Sequence, residues 1–190
     1  PINVDDQLYI RAPFHPEVSG FPMQLVIIPK MSFGTGHHQT TRLMARLLLK
    51  MDLTGKKVLD MGTGTGILAI LSEKLGASAV DAIDNFDWAV ENTQENVGLN
   101  QCSAITALHG DAEILSGKNY DVVVANINRN VLLEDIKHYR ATLETGGALL
   151  LSGFFEEDFP LIEAEVQKAG GRLIAQEKED RWMACRFEIK

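Results

Sequence analysis

Long apolar runs, cysteine and basic charge are the scarce features of this 190-residue chain. Nowhere do about 18 apolar residues follow one another, so no membrane-spanning helix and no membrane partner are expected. The only two cysteines, Cys102 and Cys185, are far apart and belong to no Cys-x-x-Cys pair. That argues against a disulfide framework and a thiolate zinc site, and for two reduced thiols in a cytosolic protein. No basic segment runs into a short apolar one as in a signal peptide, which also fits a cytoplasmic location. Lys and Arg number 18 against 26 Asp and Glu, a net charge of −8. Such a chain has few cations with which to neutralise phosphates. Direct nucleic-acid binding is therefore not expected, and a basic protein suits it better as a partner.

What is present is ordinary globular composition, 45% hydrophobic and 23% charged. A disordered tail, a collagen-like fibre and a coiled coil are excluded. Residues 1–30 read as extended. Gln7–Phe14 and Gln24–Pro29 are apolar-rich runs separated by a Pro/Gly/Ser stretch, and prolines 13, 16, 22 and 29 break any helix there. Two strands are expected, with a hairpin as the simplest pairing. From His38 to Lys50 the period becomes helical, with Leu43 and Leu47 at i,i+4 and Met44, Leu48 and Met51 at i,i+4,i+7.

A strand–helix alternation follows. Strands are expected at Lys57–Met61, Ala79–Ile83, Ile105–His109, Asp121–Ala125 and Ala148–Ser152. Helices are expected at Ile67–Leu75, Phe86–Val97, Leu132–Leu143 and Phe155–Ala169. Arg172–Lys178 and Trp182–Ile189 have no helix between them and must pair antiparallel, because a parallel return needs a long crossover. The expected fold is α/β: a doubly wound, mostly parallel seven-stranded sheet closing on a C-terminal antiparallel hairpin.

The first of these strands runs into Asp60-Met61-Gly62-Thr63-Gly64-Thr65-Gly66 and then a helix. Glycines let the backbone turn tightly and approach a ligand, and the helix start offers free N–H groups. A dinucleotide fingerprint reads Gly-x-Gly-x-x-Gly. Here the third glycine comes one residue early, which fits a cofactor without a pyrophosphate better than NAD. Asp84 ends the next strand and can accept the two hydroxyls of a ribose. Asp111, with Ala112, follows the third strand, where it can accept from an adenine amine, and Asn126 ends the fourth. Four polar signals thus fall at the carboxyl ends of four consecutive strands, where ligands of such sheets bind. His37 and His38 are adjacent with no third ligand at suitable spacing, so no metal site is expected.

These residues resemble a class I S-adenosylmethionine-dependent methyltransferase, with a Rossmann-like fold. Asp60–Gly66 is similar to its first motif, Asp84 to its ribose ligand and Asp111-Ala112 to its adenine-edge motif. A narrower resemblance lies in Phe33-Gly34-Thr35-Gly36-His37-His38-Gln39-Thr40-Thr41 and Val124-Ala125-Asn126-Ile127. Both are similar to segments of the ribosomal protein L-eleven methyltransferases (PrmA-type). The resemblance implies S-adenosylmethionine as cofactor, with S-adenosylhomocysteine as product, and a basic large-subunit ribosomal protein as substrate. It also implies that Phe33, Thr41, Asp60, Gly62, Gly64, Gly66, Asp84, Asp111, Ala112 and Asn126 hold the cofactor. Thr41 would sit near its amino-acid end, and Asn126 between it and the incoming amine, as the catalytic residue.

Enzymes of that family carry a substrate-recognition domain ahead of the catalytic one. A chain with only residues 1–30 there, beginning at Pro1, reads as a β leader or linker followed by a catalytic domain at 31–190. A lysine amine must lose its proton before it attacks, its reference pKa being about 10.4. Asn126 is expected to accept a hydrogen bond from the neutral amine, and no dedicated general base stands out. The alternatives left by the residues are the same fold acting on another protein, RNA or a small molecule, a nicotinamide-dependent oxidoreductase, and a non-catalytic cofactor-binding module.

Overall fold

The structure is a computed structural model that describes residues 1–30 and 38–190, with the His38 side chain outside the description. Three short strands open the chain: β1 (Ile2–Val4), β2 (Leu8–Arg11) and β3 (Met23–Val26). β1 and β2 form an antiparallel hairpin whose turn places Asp5 and Asp6 at positive φ. β2 and β3 pair in parallel, Leu8 opposite Met23. The hairpin expected of Gln7–Phe14 and Gln24–Pro29 is therefore corrected. Residues 12–22 are long enough to carry the chain back and start β3 beside the beginning of β2. The buried Val4, Leu8, Ile10, Leu25 and Ile27 join the same apolar cluster as the next two helices.

Helix α1 (His38–Leu49) leads to the main sheet. Its strands are β4 (Lys57–Met61), β5 (Ala79–Asp84), β6 (Ile105–His109), β7 (Tyr120–Asn126), β8 (Leu143–Phe155), β9 (Gly171–Glu179) and β10 (Trp182–Ile189). The spatial order is β6-β5-β4-β7-β8-β10-β9, parallel except for β10, which runs antiparallel to both neighbours. The expected seven-stranded sheet with its terminal hairpin is present. Val122–Ala125 of β7 are buried, as expected of a parallel strand covered on both faces. Covering the sheet are α1, α2 (Ile67–Lys74), α3 (Asp87–Leu99), α4 (Arg129–Thr142) and α5 (Phe159–Lys168).

The largest departures from the expected bounds are at β8 and α5. β8 runs from Leu143 to Phe155, longer than Ala148–Ser152: β10 pairs with it out to Phe155, and at its start Leu143 already pairs with Tyr120 of β7. Phe155 is a strand residue rather than the start of α5. A short 3-10 turn and Pro160 in the first turn set that helix start at Phe159. Trp182 packs on Phe155 at 4.2 Å between ring centroids, with the Arg181 guanidinium over the same ring. Cys102 and Cys185 are both free thiols.

Candidate active site

The polar strand ends converge where the strand order reverses, between β4 and β7, which is where open α/β sheets bind ligands. The glycine loop between β4 and α2 is held from below. Gly62 and Thr63 both donate backbone N–H groups to Ile83 C=O, at 2.8 and 3.0 Å. Asp60 is buried, and its Oδ2 accepts from the Thr63 hydroxyl at 2.6 Å and from Ala69 N–H at 3.1 Å. It thus ties the loop to the first turn of α2. Burial pushes its carboxyl up to about 6, opposed by those two hydrogen bonds.

The loop glycines are required by geometry. Gly66 precedes α2 at φ 79°, and a Cβ there would lie 2.8 Å from Thr93 Cγ2. A Cβ on Gly62, at φ 70°, would collide with the Ile127 side chain. On the other side of the same residue, a Cβ on Gly153 (φ 96°) would collide with the Ile127 carbonyl. Ile127 therefore passes between two glycines, one from the end of β4 and one from β8. Its N–H donates to Ser152 C=O at 3.1 Å. This passage places Asn126 at the reversal point. Next in the chain, Asn128 caps α4 by accepting from Val131 N–H at 3.2 Å.

Asp84 is buried, its Oδ2 accepting from Gly64 N–H at 3.0 Å and its Oδ1 from Phe86 N–H at 3.1 Å. A carboxylate has about four lone-pair sites, so two remain for a ligand diol. Asp111 caps a short 3-10 turn through Oδ1, which accepts from Glu113 N–H at 2.9 Å. Ala112 is buried behind it.

Two clefts meet here. The first, about 460 Å³, is lined by Asp84, Phe86, Gly110, Asp111, Val131 and Asp135 among others. The second, about 390 Å³, lies between the leader and the glycine loop and includes Asp60, Gly64, Thr41, Ile27 and Phe14. Gly62 and Asn126 line both. Each volume falls within the roughly 300–1,000 Å³ of small-molecule sites. Of the residues the sequence put forward, Thr41, Asp60, Gly62, Gly64, Asp84, Asp111 and Asn126 border one cleft or both. Gly66 and Ala112 support from behind. Phe33 and His37 lie outside the described residues. Among the described residues no cluster of metal-ligating side chains occurs.

A family model described as ribosomal protein L11 methyltransferase (PrmA) matches residues 1–190, the whole chain. The chain belongs to that family. Its members are S-adenosylmethionine-dependent methyltransferases, as the sequence motifs implied. The chain is 50% identical over 188 residues to the ribosomal protein L11 methyltransferase of Porphyromonas gingivalis, covering 98% of this chain and 65% of that protein. It is 45% identical to the protein of that name from Bacteroides fragilis, covering 100% and 68% respectively. The chain thus spans about two thirds of the length of the curated relatives it matches. The crystal structure of a ribosomal protein L11 methylase from Lactobacillus delbrueckii subsp. bulgaricus superimposes with a TM-score of 0.86 at 29% identity, over 100% of this chain and 98% of that one.

Within this PrmA-family frame, several cleft residues escaped the sequence reading. Gly153 was detectable in principle, since an isolated glycine in a strand pattern marks a close backbone approach. Phe86 and Val131, exposed apolar side chains on the rim of the first cleft, carried no periodic signal. Asp135 lies inside an ordinary helical stretch. Its carboxyl is raised by burial while the Tyr139 hydroxyl donates to it at 3.2 Å.

Proposed function

We propose that this chain is a catalytic domain, residues 31–190 behind a β leader at 1–30, that methylates amino groups of a basic large-subunit ribosomal protein of the L11 type. The groups methylated are lysine ε-amines, with the N-terminal α-amine as the alternative acceptor. The observation that carries the proposal is the sharing of Asn126 and Gly62 by the two clefts. The first cleft offers the open lone pairs of Asp84 to a ribose and the Asp111 carboxylate to an adenine amine. The second offers the glycine loop and Thr41 to an amino-acid end. The junction is then where a sulfonium would lie, and the donor and acceptor set fits S-adenosylmethionine.

That cofactor supplies a methyl group already activated for displacement. The protein's task is orientation. A partly buried junction disfavours the charged form of an amine and so lowers its pKa. Asn126 Oδ1 would accept an N–H of the neutral amine and turn its lone pair toward the methyl; as the N–C bond forms the S–C bond breaks, S-adenosylhomocysteine leaves, and the methylated ammonium releases its proton to solvent. The net charge of −8 favours approach of a cationic substrate.

Titration calorimetry with S-adenosylhomocysteine and with NAD tests the site, with binding expected for the first only. Mass spectrometry of ribosomal protein L11 after incubation with S-adenosylmethionine tests the substrate. Asn126→Ala should lower kcat at least about 100-fold, the scale of a lost orienting or transition-state contact. Cofactor affinity should stay within a few-fold. Equal loss of both, or loss of neither, removes the orienting role.

A further inference from the structure

Helix α3 carries Asn92 and Asn96, and Asn100 caps its C-terminus, at i, i+4 and i+8, all three buried. They meet one edge of the leader. Asn100 accepts from Val26 N–H at 2.9 Å and donates to Val26 C=O at 2.6 Å. Asn96 accepts from Ile28 N–H at 2.8 Å and donates to Ile28 C=O at 3.3 Å. Asn92 donates to Ile28 C=O at 3.1 Å, and its Oδ1 is buried without a partner. From Asn100 to Asn96 the helix climbs four residues, about 6.0 Å, while the leader advances two, Val26 to Ile28, about 6.6 Å when extended; Asn92 adds a second bond to Ile28 rather than a further step. Asn96 and Asn100 therefore act like two rungs of a neighbouring β-strand edge made from side-chain amides.

One member does more. Asn96 Nδ2 also donates to Thr65 C=O, at 2.8 Å, inside the glycine loop. One turn away on the same helix, the Thr93 hydroxyl donates to Gly64 C=O at 3.2 Å. Ile27, Pro29 and Lys30 of the leader line the second cleft together with Thr63, Gly64 and Thr65 of the loop. A single amide thus joins both walls of that cleft.

We propose that Asn96 is a positioning residue for methyl transfer, locking the register of the leader at Ile28 and the glycine loop at Thr65 to each other. Asn100 anchors the leader and the end of its own helix, where it donates to Asn96 C=O at 2.8 Å, but bonds no part of the glycine loop. The inference rests on reading the glycine loop as the cofactor site, and Asn100 supplies the internal control. Both Asn→Ala variants lose leader bonds and should lower the thermal midpoint by similar amounts. Asn96→Ala should in addition weaken S-adenosylhomocysteine binding about tenfold, the equivalent of one hydrogen bond, whereas Asn100→Ala should change it less than about twofold. Asn96→Asp keeps the size and the acceptor for Ile28 but lacks the N–H donors. It should show the same selective loss if the alanine variant does not fold.

Calorimetry on the wild type and the variants reads this directly, with amide exchange at Ile28 and Val26 reporting the leader separately. Equal weakening by the Asn96 and Asn100 variants makes the row merely structural and overturns the proposal, as does unchanged affinity in both Asn96 variants. A wild-type chain that binds no S-adenosylhomocysteine overturns the cofactor reading, and the positioning role with it, even where amide exchange still shows the row intact.

Discussion

Single residues at the junction are constrained by space and by charge, and the two constraints predict different signatures. A Cβ on Gly153 would meet backbone, the Ile127 carbonyl, which cannot swing aside as a side-chain tip could. Gly153→Ala should therefore cost at least about 2 kcal/mol in urea denaturation and displace Asn126, lowering turnover. Gly117, at φ 77° with open space around it, is the control. Gly117→Ala should cost only about 1 kcal/mol of left-handed strain and leave turnover intact. Asp60 is constrained by charge. Its folded pKa, about 6, lies above its ordinary value of 3.8, so the folded state holds the proton more tightly. Its contribution to stability is full below the ordinary value and declines as pH rises through about 6. Asp60→Asn keeps an acceptor for Thr63 and Ala69 and should flatten that part of the stability–pH curve. It should hold S-adenosylhomocysteine affinity within about threefold, against a loss of about tenfold or more for Asp60→Ala, measured by calorimetry.

Among the elements, α1 is pinned to the C-terminal hairpin by charge. Arg42 and Arg46 both reach Glu179 at the end of β9, and Arg46 also reaches Asp5 in the β1–β2 turn, at 3.0 Å. The bond from Arg42 and the nearby cations hold the Glu179 carboxyl below its ordinary range. The sign is opposite to that of Asp60: this contribution is present above the ordinary carboxylate pKa and is lost as pH falls through the depressed folded value. The side chains are only partly buried, so the network is worth no more than about 1 kcal/mol. Glu179→Gln should lower the thermal midpoint at neutral pH, and its difference from wild type should shrink as pH falls below the ordinary carboxylate range and vanish below the depressed folded value. Much of the element order was legible in advance. β4, β6 and β10 have the expected bounds, and most other elements shift by one to three residues, because each carries its own period and its own breakers. The pairing of β2 with β3 was not legible, since both a hairpin and a parallel return satisfy the same apolar runs.

At the scale of the whole molecule, the leader, α1, α2 and the sheet share one apolar cluster, so binding at the glycine loop should be felt as global stability. A ligand at 100 times its Kd adds about 2.7 kcal/mol. For a chain of this size that corresponds to a rise of roughly 5–11 °C in Tm. Scanning fluorimetry should show that rise with S-adenosylhomocysteine and none with NAD. The sequence by itself determined the α/β alternation, the antiparallel ending and the polar residues at four strand ends, because periodicity, loop length and residue chemistry are local. Through its motifs it also pointed to the family. Only the tertiary structure decided that Ile127 threads between Gly62 and Gly153, that Asn126 borders two clefts at once, and that the amides of Asn96 and Asn100 pair with the leader backbone as a β-strand edge would. Those facts depend on backbone segments far apart in sequence meeting at van der Waals and hydrogen-bond distance, and no local pattern encodes where a distant carbonyl will be.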